Sequence, residues 1–186
     1  MPWRTAEKKK KGQGHMMFTR LTDKSRTSVE AAFEEARMLG HDSVGDEDLL
    51  LGILRADEGI AAEALSSLGV TLEDAREESE ELFAEALSSI EISLEEVRRE
   101  AGDAFEIRIP TDRKIPYSPR AKNALVGARK EMRRLGDNYL GTEHVLLGIL
   151  GNKDGTAVRM LARMGVSPET LEDRLYQLRL RSSNQV

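Results

Sequence analysis

The chain has 186 residues, a formal net charge of −5, 33% charged residues, 4% aromatics and no cysteine. That balance argues against general affinity for nucleic acid, which draws on a basic surface that releases counterions. The lack of cysteine excludes disulfides, thiol nucleophiles and thiolate metal sites. No stretch approaches the roughly 18 uninterrupted apolar residues of a membrane helix, and no apolar segment near the amino terminus reads as a secretion signal, so a cytoplasmic protein without membrane contact is expected.

Residues 1–16 hold the run Lys8 to Lys11 and then Gly12-Gln13-Gly14-His15. So basic and apolar-poor a segment is expected to be a disordered tail, either touching an acidic partner or lying upstream of a start at Met16 or Met17. Thr22 then caps a first helix, with Val29, Ala32, Phe33, Ala36 and Leu39 at helical spacing until Gly40 supplies a left-handed stop. Asp46 reads as the N-cap of a second, strongly apolar helix carrying Leu49, Leu50, Ile53 and Leu54, expected at the buried centre. Gly59 permits a turn into a third helix ending at Leu68-Gly69, and Thr71 with Asp74 boxes the start of a fourth that runs to about Leu87.

Residues 88–117 read as a connector. Ser93 with Glu96 opens a short helix stopped near Gly102, and Phe105 to Arg113 alternates as extended chain does. Ser118 and Pro119 start the next helix, lined by Leu125, Ala128, Met132 and Leu135 and ended by Gly136. Thr142 reads as the next N-cap, Gly165 as the next stop, and Ser167-Pro168 as the last start.

The second series copies the first. Residues 39–73 return at 135–169, a constant shift of 96, without a gap. Leu50-Leu51-Gly52-Ile53-Leu54 becomes Leu146-Leu147-Gly148-Ile149-Leu150, and Gly69-Val70 becomes Gly165-Val166. One supersecondary unit used twice, each copy covering the other's apolar face, predicts an all-α fold of two tandem four-helix repeats with pseudo-twofold symmetry, units 17–87 and 118–181 forming one domain. Such a scaffold suits binding better than catalysis.

Leu135-Gly136-Asp137-Asn138-Tyr139-Leu140-Gly141-Thr142-Glu143-His144-Val145-Leu146-Leu147-Gly148-Ile149-Leu150 closely resembles the amino-terminal Clp domain of ClpC-type unfoldases. Met17 to Arg26 is similar to that domain's opening, and Ile115 to Lys122 to its mid-domain junction. The resemblance implies a double four-helix repeat that receives substrates and adaptors for an ATP-driven ring feeding the ClpP peptidase. Gly136 to Thr142 lacks the Lys of a phosphate-binding loop and follows a helix instead of a strand, so no nucleotide role is expected. The chain ends soon after the second repeat, and the expectation is a free-standing, non-enzymatic reception domain that modulates a Clp protease through its components, adaptors or substrate proteins.

The amides of Glu143, His144 and Val145, at a helix start beside the Thr142 hydroxyl, would favour an anion. Glu143 adds a carboxylate that can fork onto a guanidinium, and together these features match phosphoarginine. The resemblance carries the same role onto Glu143 and Glu47. In the first repeat Asp46 and Asp48 replace Thr142 and His144, and two like charges about 4 Å apart cost about 4 kcal/mol at an effective dielectric of 20. The second site is therefore expected to bind phosphoarginine and the first not. The plainer reading makes Asp46 and Thr142 caps and both glutamates first-turn residues favoured by the dipole.

Phe18, Arg26, Val29, Tyr117, Lys122 and Leu125 match positions where ClpC-type domains bind cyclic peptide antibiotics, which implies an alternative role in sequestering such compounds. Phe18 and Tyr117 read equally well as inward anchors, and Glu30 and Phe33 depart from the family pattern. His41 with Asp42 and Asp46 reads as turn and cap residues, so neither metal nor cofactor is expected. The run Glu77 to Glu81 reads as a solvated helix face, and no serine, histidine and acid spacing suggests a triad.

Overall fold

A computed structural model describes residues 20–89 and 115–183. The expected tail 1–16, Phe18, the short helix opened by Ser93 and the extended Phe105–Arg113 stretch lie outside the described residues. Those residues form eight helices: α1 (Asp23–Met38), α2 (Asp46–Ala56), α3 (Ile60–Ser67), α4 (Leu72–Ser88), α5 (Pro119–Arg134), α6 (Thr142–Leu150), α7 (Thr156–Arg163) and α8 (Pro168–Ser183). The two series of four match in order and spacing, and the fold is all-α, as the duplication predicts.

Local signals set the ends. The Thr22 hydroxyl accepts the Ser25 amide at 3.2 Å, and Ser118 accepts the Ala121 amide at 3.1 Å. At the other end of α1, Gly40 takes φ +74°, which costs a residue without Cβ nothing. There the Gly40 amide donates to Arg37 O and the His41 amide to Ala36 O at 2.8 Å. Gly136 repeats this two-bond stop, its amide donating to Arg133 O and that of Asp137 to Met132 O at 2.9 Å. The stop fixes the residue after the glycine, His41 in one repeat and Asp137 in the other.

α2 and α6 form the centre, with Leu49, Leu50, Leu51 and Ile53 at 0–1% exposure and every residue of α6 buried. They cross α1 and α5 at glycine. A Cβ on Gly52 would overlap the Ser28 carbonyl, and one on Gly148 the Ala124 carbonyl. Burial of both central helices against one shared core is the main stabilising term.

The repeats interlock. α4 packs on α7 and α8 on α3, so the last helix of each unit covers the third helix of the other. The strand-like bridges obey the same twofold: Leu21 pairs with Leu140, and Val44 with Tyr117. In the first pairing the Thr22 amide donates to Leu140 O at 3.1 Å, and in the second the Ser118 amide donates to Val44 O at 2.9 Å.

One pair of local assignments is corrected. The N-caps of α2 and α6 are Gly45 and Gly141, and Asp46 and Thr142 are the first helical residues. Both side chains turn away from their own helix and cap a helix of the other repeat. Asp46 Oδ2 accepts the Ala157 amide of α7 at 3.3 Å, and Thr142 Oγ1 accepts the Ala61 amide of α3 at 3.3 Å. Gly59 and Gly155 admit this approach, because a Cβ on either would overlap the incoming oxygen. Cap propensity is a local preference, and here a partner helix across the twofold takes the side chain instead.

Candidate functional site at the starts of the two central helices

Two equivalent corners carry the chemistry. Each joins the residue after the glycine stop to the third residue of the next helix, with a glutamate between them. In the first repeat His41 Nδ1 lies 2.9 Å from Asp48 Oδ1, and Asp48 Oδ2 accepts the Gly45 amide at 2.7 Å. In the second, His144 Nδ1 accepts the Gly141 amide at 3.0 Å, which leaves Nε2–H to donate to Asp137 Oδ2 at 2.8 Å. Histidine and aspartate have thus changed places between the repeats while the bond between them is kept.

The glutamates fold back over the capping glycines. A Cβ on Gly45 would collide with the Glu47 carboxyl, and one on Gly141 with that of Glu143. What surrounds the two carboxyls differs. Arg179 Nη1 lies 3.2 Å from Glu143 Oε1 and 2.8 Å from Asp137 Oδ2, so α8 delivers a cation to the second corner. Tyr139 stacks edge-on against His144 with ring centroids 5.9 Å apart. The position of Arg179 in the first repeat, 96 residues earlier, is Phe83, which is 49% exposed.

Charge follows from these surroundings. Burial, then repulsion from Asp48 and Asp46, pushes the Glu47 carboxyl up to about 7, its own backbone amide pulling the other way. His41 is raised: burial lowers it, but hydrogen bonding and attraction from Asp48, with Glu47 and Asp42, outweigh that. His144 is lowered, burial and the Arg179 charge prevailing over Glu143 and Asp137. The first corner is thus acidic, with the His41 imidazole in place of an arginine beside its carboxylates. The second holds a neutral histidine and an arginine.

The residues expected to bind phosphoarginine fall as follows. Thr142, Glu143, His144 and Val145 are at 2%, 4%, 0% and 1% exposure. The His144 and Val145 amides donate to Gly141 O at 3.2 and 3.3 Å, and the Thr142 hydroxyl is engaged with α3. Glu47 is half-buried. Asp46, expected to repel a phosphate in the first repeat, is fully buried and turned towards α7. Of the residues matched to antibiotic binding, Val29 and Leu125 are core residues at 4% and 3% exposure, Arg26 and Lys122 are exposed, and Tyr117 packs edge-on against Phe33 at 5.1 Å.

Arg179, and the pairing of positions 41 with 48 and 137 with 144, escape a reading of local motifs. The exchange of His and Asp at two positions, visible when residues 39–73 are laid on 135–169, is the signal that finds the pairing. No helix of the described residues is long and apolar enough to cross a membrane.

Comparison with known proteins agrees with the fold. The Clp repeat N-terminal domain model matches residues 20–85, 77–164 and 117–185. The chain is 37% identical over 162 residues to the chloroplastic chaperone protein ClpC of Pisum sativum, covering 87% of this chain and 15% of that protein. It is 40% identical over 162 residues to a ClpA homolog, an ATP-dependent Clp protease ATP-binding subunit of Cyanidium caldarium, of which it spans 16%. Among solved structures, the N-terminal domain of the ClpD chaperone of Arabidopsis thaliana superposes with a TM-score of 0.64 at 24% identity, over 86% of this chain and 97% of that one. The Hsp104 N-terminal domain of Candida albicans shares the fold, with a TM-score of 0.58 at 16% identity. Matches of the family model that together run from residue 20 to residue 185, on a fold shared with these N-terminal domains, place the chain in the Clp repeat N-terminal domain family.

Proposed function

We propose that this chain is a non-catalytic reception module of the Clp system, which binds substrate or adaptor proteins and so modulates Clp-dependent proteolysis from the cytoplasm. Its finer ligand class is the arginine side chain, in particular phosphoarginine, with the guanidinium forked onto a glutamate at the start of a central helix. One observation carries this reading: Glu47 is a half-buried carboxylate with no arginine partner among the described residues, whereas Glu143 is already engaged by Arg179. A ligand guanidinium has to displace Arg179 in the second repeat and nothing equivalent in the first. This reverses the order expected from the cap residues, because Asp46 Oδ2 is committed to the Ala157 amide of α7 and no guanidinium has to leave Glu47.

Calorimetry with phosphoarginine and with an arginine-phosphorylated protein tests the proposal. Binding should be lost in Glu47→Ala and kept in Glu143→Ala, and Arg179→Ala should add a second, weaker event. Loss in Glu143→Ala alone would return the role to the second repeat, and no binding by the wild type would end the phosphoarginine reading. Sequestration of cyclic peptide antibiotics is the weaker alternative, since Val29 and Leu125 are committed to the core.

A further inference from the structure

The two corners bring together the same donor set, one imidazole and two carboxylates, but an arginine sits on the second. Ligand atoms of His41, Glu47 and Asp48 all lie within 4.8 Å of one another. Asp137, Glu143 and His144 cluster as closely, but there both imidazole nitrogens are engaged, by the Gly141 amide and by Asp137, and Arg179 supplies the positive charge. His41 uses only Nδ1, and its other ring nitrogen has no hydrogen-bond partner among the described residues. The side chain is 24% exposed, so the corner can be reached from water.

A second observation points to a missing cation. Asp46 is fully buried, its side chain lies within hydrogen-bond reach of the Glu47 carboxyl, and its Oδ1 has no donor among the described residues. Buried carboxylate oxygens are rarely left so. Three consecutive acids, Asp46, Glu47 and Asp48, therefore meet at one helix start, where the second repeat has Thr142, Glu143, His144 and an arginine.

We propose that His41, Glu47 and Asp48 bind a divalent first-row cation of the Zn²⁺ class, in the place that the Arg179 guanidinium takes in the second repeat. One imidazole nitrogen with two carboxylates is a borderline donor set that suits Zn²⁺ or Co²⁺ better than Ca²⁺ or Mg²⁺, which prefer all-oxygen shells. Three protein ligands leave a coordination position for water or for a donor from a bound protein. The inference does not depend on phosphoarginine recognition, although the ion and a ligand guanidinium would exclude each other at Glu47.

The test is titration of the chelator-stripped full chain with Zn²⁺ alone by calorimetry, and with Co²⁺ followed by its visible d–d absorption. One equivalent should bind, with the absorption of a low-coordinate N/O site. Affinity should fall at least about tenfold in Glu47→Gln and in His41→Asn, since loss of even an outer-shell partner of a metal ligand costs about 10–100-fold. Phe83→Arg should weaken it similarly by supplying an internal cation, while Glu143→Gln leaves it unchanged. Circular dichroism melts of each metal-free variant establish that the fold is intact. Absence of saturable binding, or one-equivalent binding that survives both Glu47→Gln and His41→Asn in folded protein, overturns the assignment. The metal titration uses no peptide, so failure of phosphoarginine binding and failure of this site are separate results.

Discussion

The two repeats share a backbone and differ in where they keep their charge. In the second, the charged cluster sits at the helix start, where Arg179 bridges Asp137 and Glu143. In the first it sits behind the core, where Glu35 on α1, at 0% exposure, is gripped by Arg55 from α2 and Arg76 from α4. The duplicated positions of that trio are Glu131, Gly151 and Glu172, so no such cluster is possible there. The two repeats share the packing and the helix stops, while their counter-charges sit at different places. The consequence is one corner already satisfied and one left able to take a ligand.

The largest effect expected from breaking this contrast is on Glu35. Removing both arginines, Arg55→Ala with Arg76→Ala, leaves a buried carboxylate uncompensated and should cost about 4 kcal/mol in urea unfolding at neutral pH. Glu131→Ala should stay within about 0.5 kcal/mol, since its pair with Arg134 is exposed. The pH dependence gives the sign. Burial alone would raise Glu35, but hydrogen bonds and attraction from Arg76 and Arg55 hold it below its ordinary 4.5. Its contribution is present above the unfolded value and lost as pH falls through the folded one, so the gap between wild type and double variant should narrow below pH 4.5. A gap that widens in acid would show the trio to be no source of stability.

Features the repeats share should instead respond equally. Gly52→Ala and Gly148→Ala each force a Cβ into a facing backbone carbonyl, of Ser28 or of Ala124, and should each cost about 3 kcal/mol, the upper end for overpacking. Unequal costs measured by denaturant unfolding would mean that one helix crossing can relax and the other cannot.

The same split between shared and private features explains what the sequence disclosed. The fold could be read from the offset of 96 alone, because glycine at 40, 69, 136 and 165 stops helices through backbone freedom, a property of the residue itself. Caps at Thr22, Thr71 and Ser118 were readable for the same reason, each oxygen serving its own helix. Asp46 and Thr142 were not, since their partners Ala157 and Ala61 lie 111 and 81 residues away. Arg179 reaches Glu143 across 36 residues, and no local pattern announces a side chain arriving from another helix.

The exchanged His and Asp pairs permit a sharper test. His41→Asp places a second carboxylate against Asp48 and should destabilise the metal-free chain by about 2 kcal/mol. Asp48→His added to it recreates the arrangement of Asp137 and His144, and should recover at least about half of the loss. Strict additivity of the two changes would mean that the bond between positions 41 and 48 contributes nothing.

The smallest predicted effects concern the junction between the repeats. Thr142→Ala and Asp46→Ala each remove the acceptor for a second-residue amide, of α3 and of α7, and loss of an N-terminal cap costs about 1 kcal/mol. Each cap belongs to the opposite repeat, so local opening should appear across the twofold: amide exchange should quicken at Ala61 in Thr142→Ala and at Ala157 in Asp46→Ala. The two differ in one respect. Thr142→Ala removes only a neutral acceptor, whereas Asp46→Ala also removes a carboxylate that crowds Glu47 and leaves its own Oδ1 without a donor. Relief of that crowding offsets part of the lost cap, so Asp46→Ala should be the milder substitution even though the side chain it deletes is charged and fully buried.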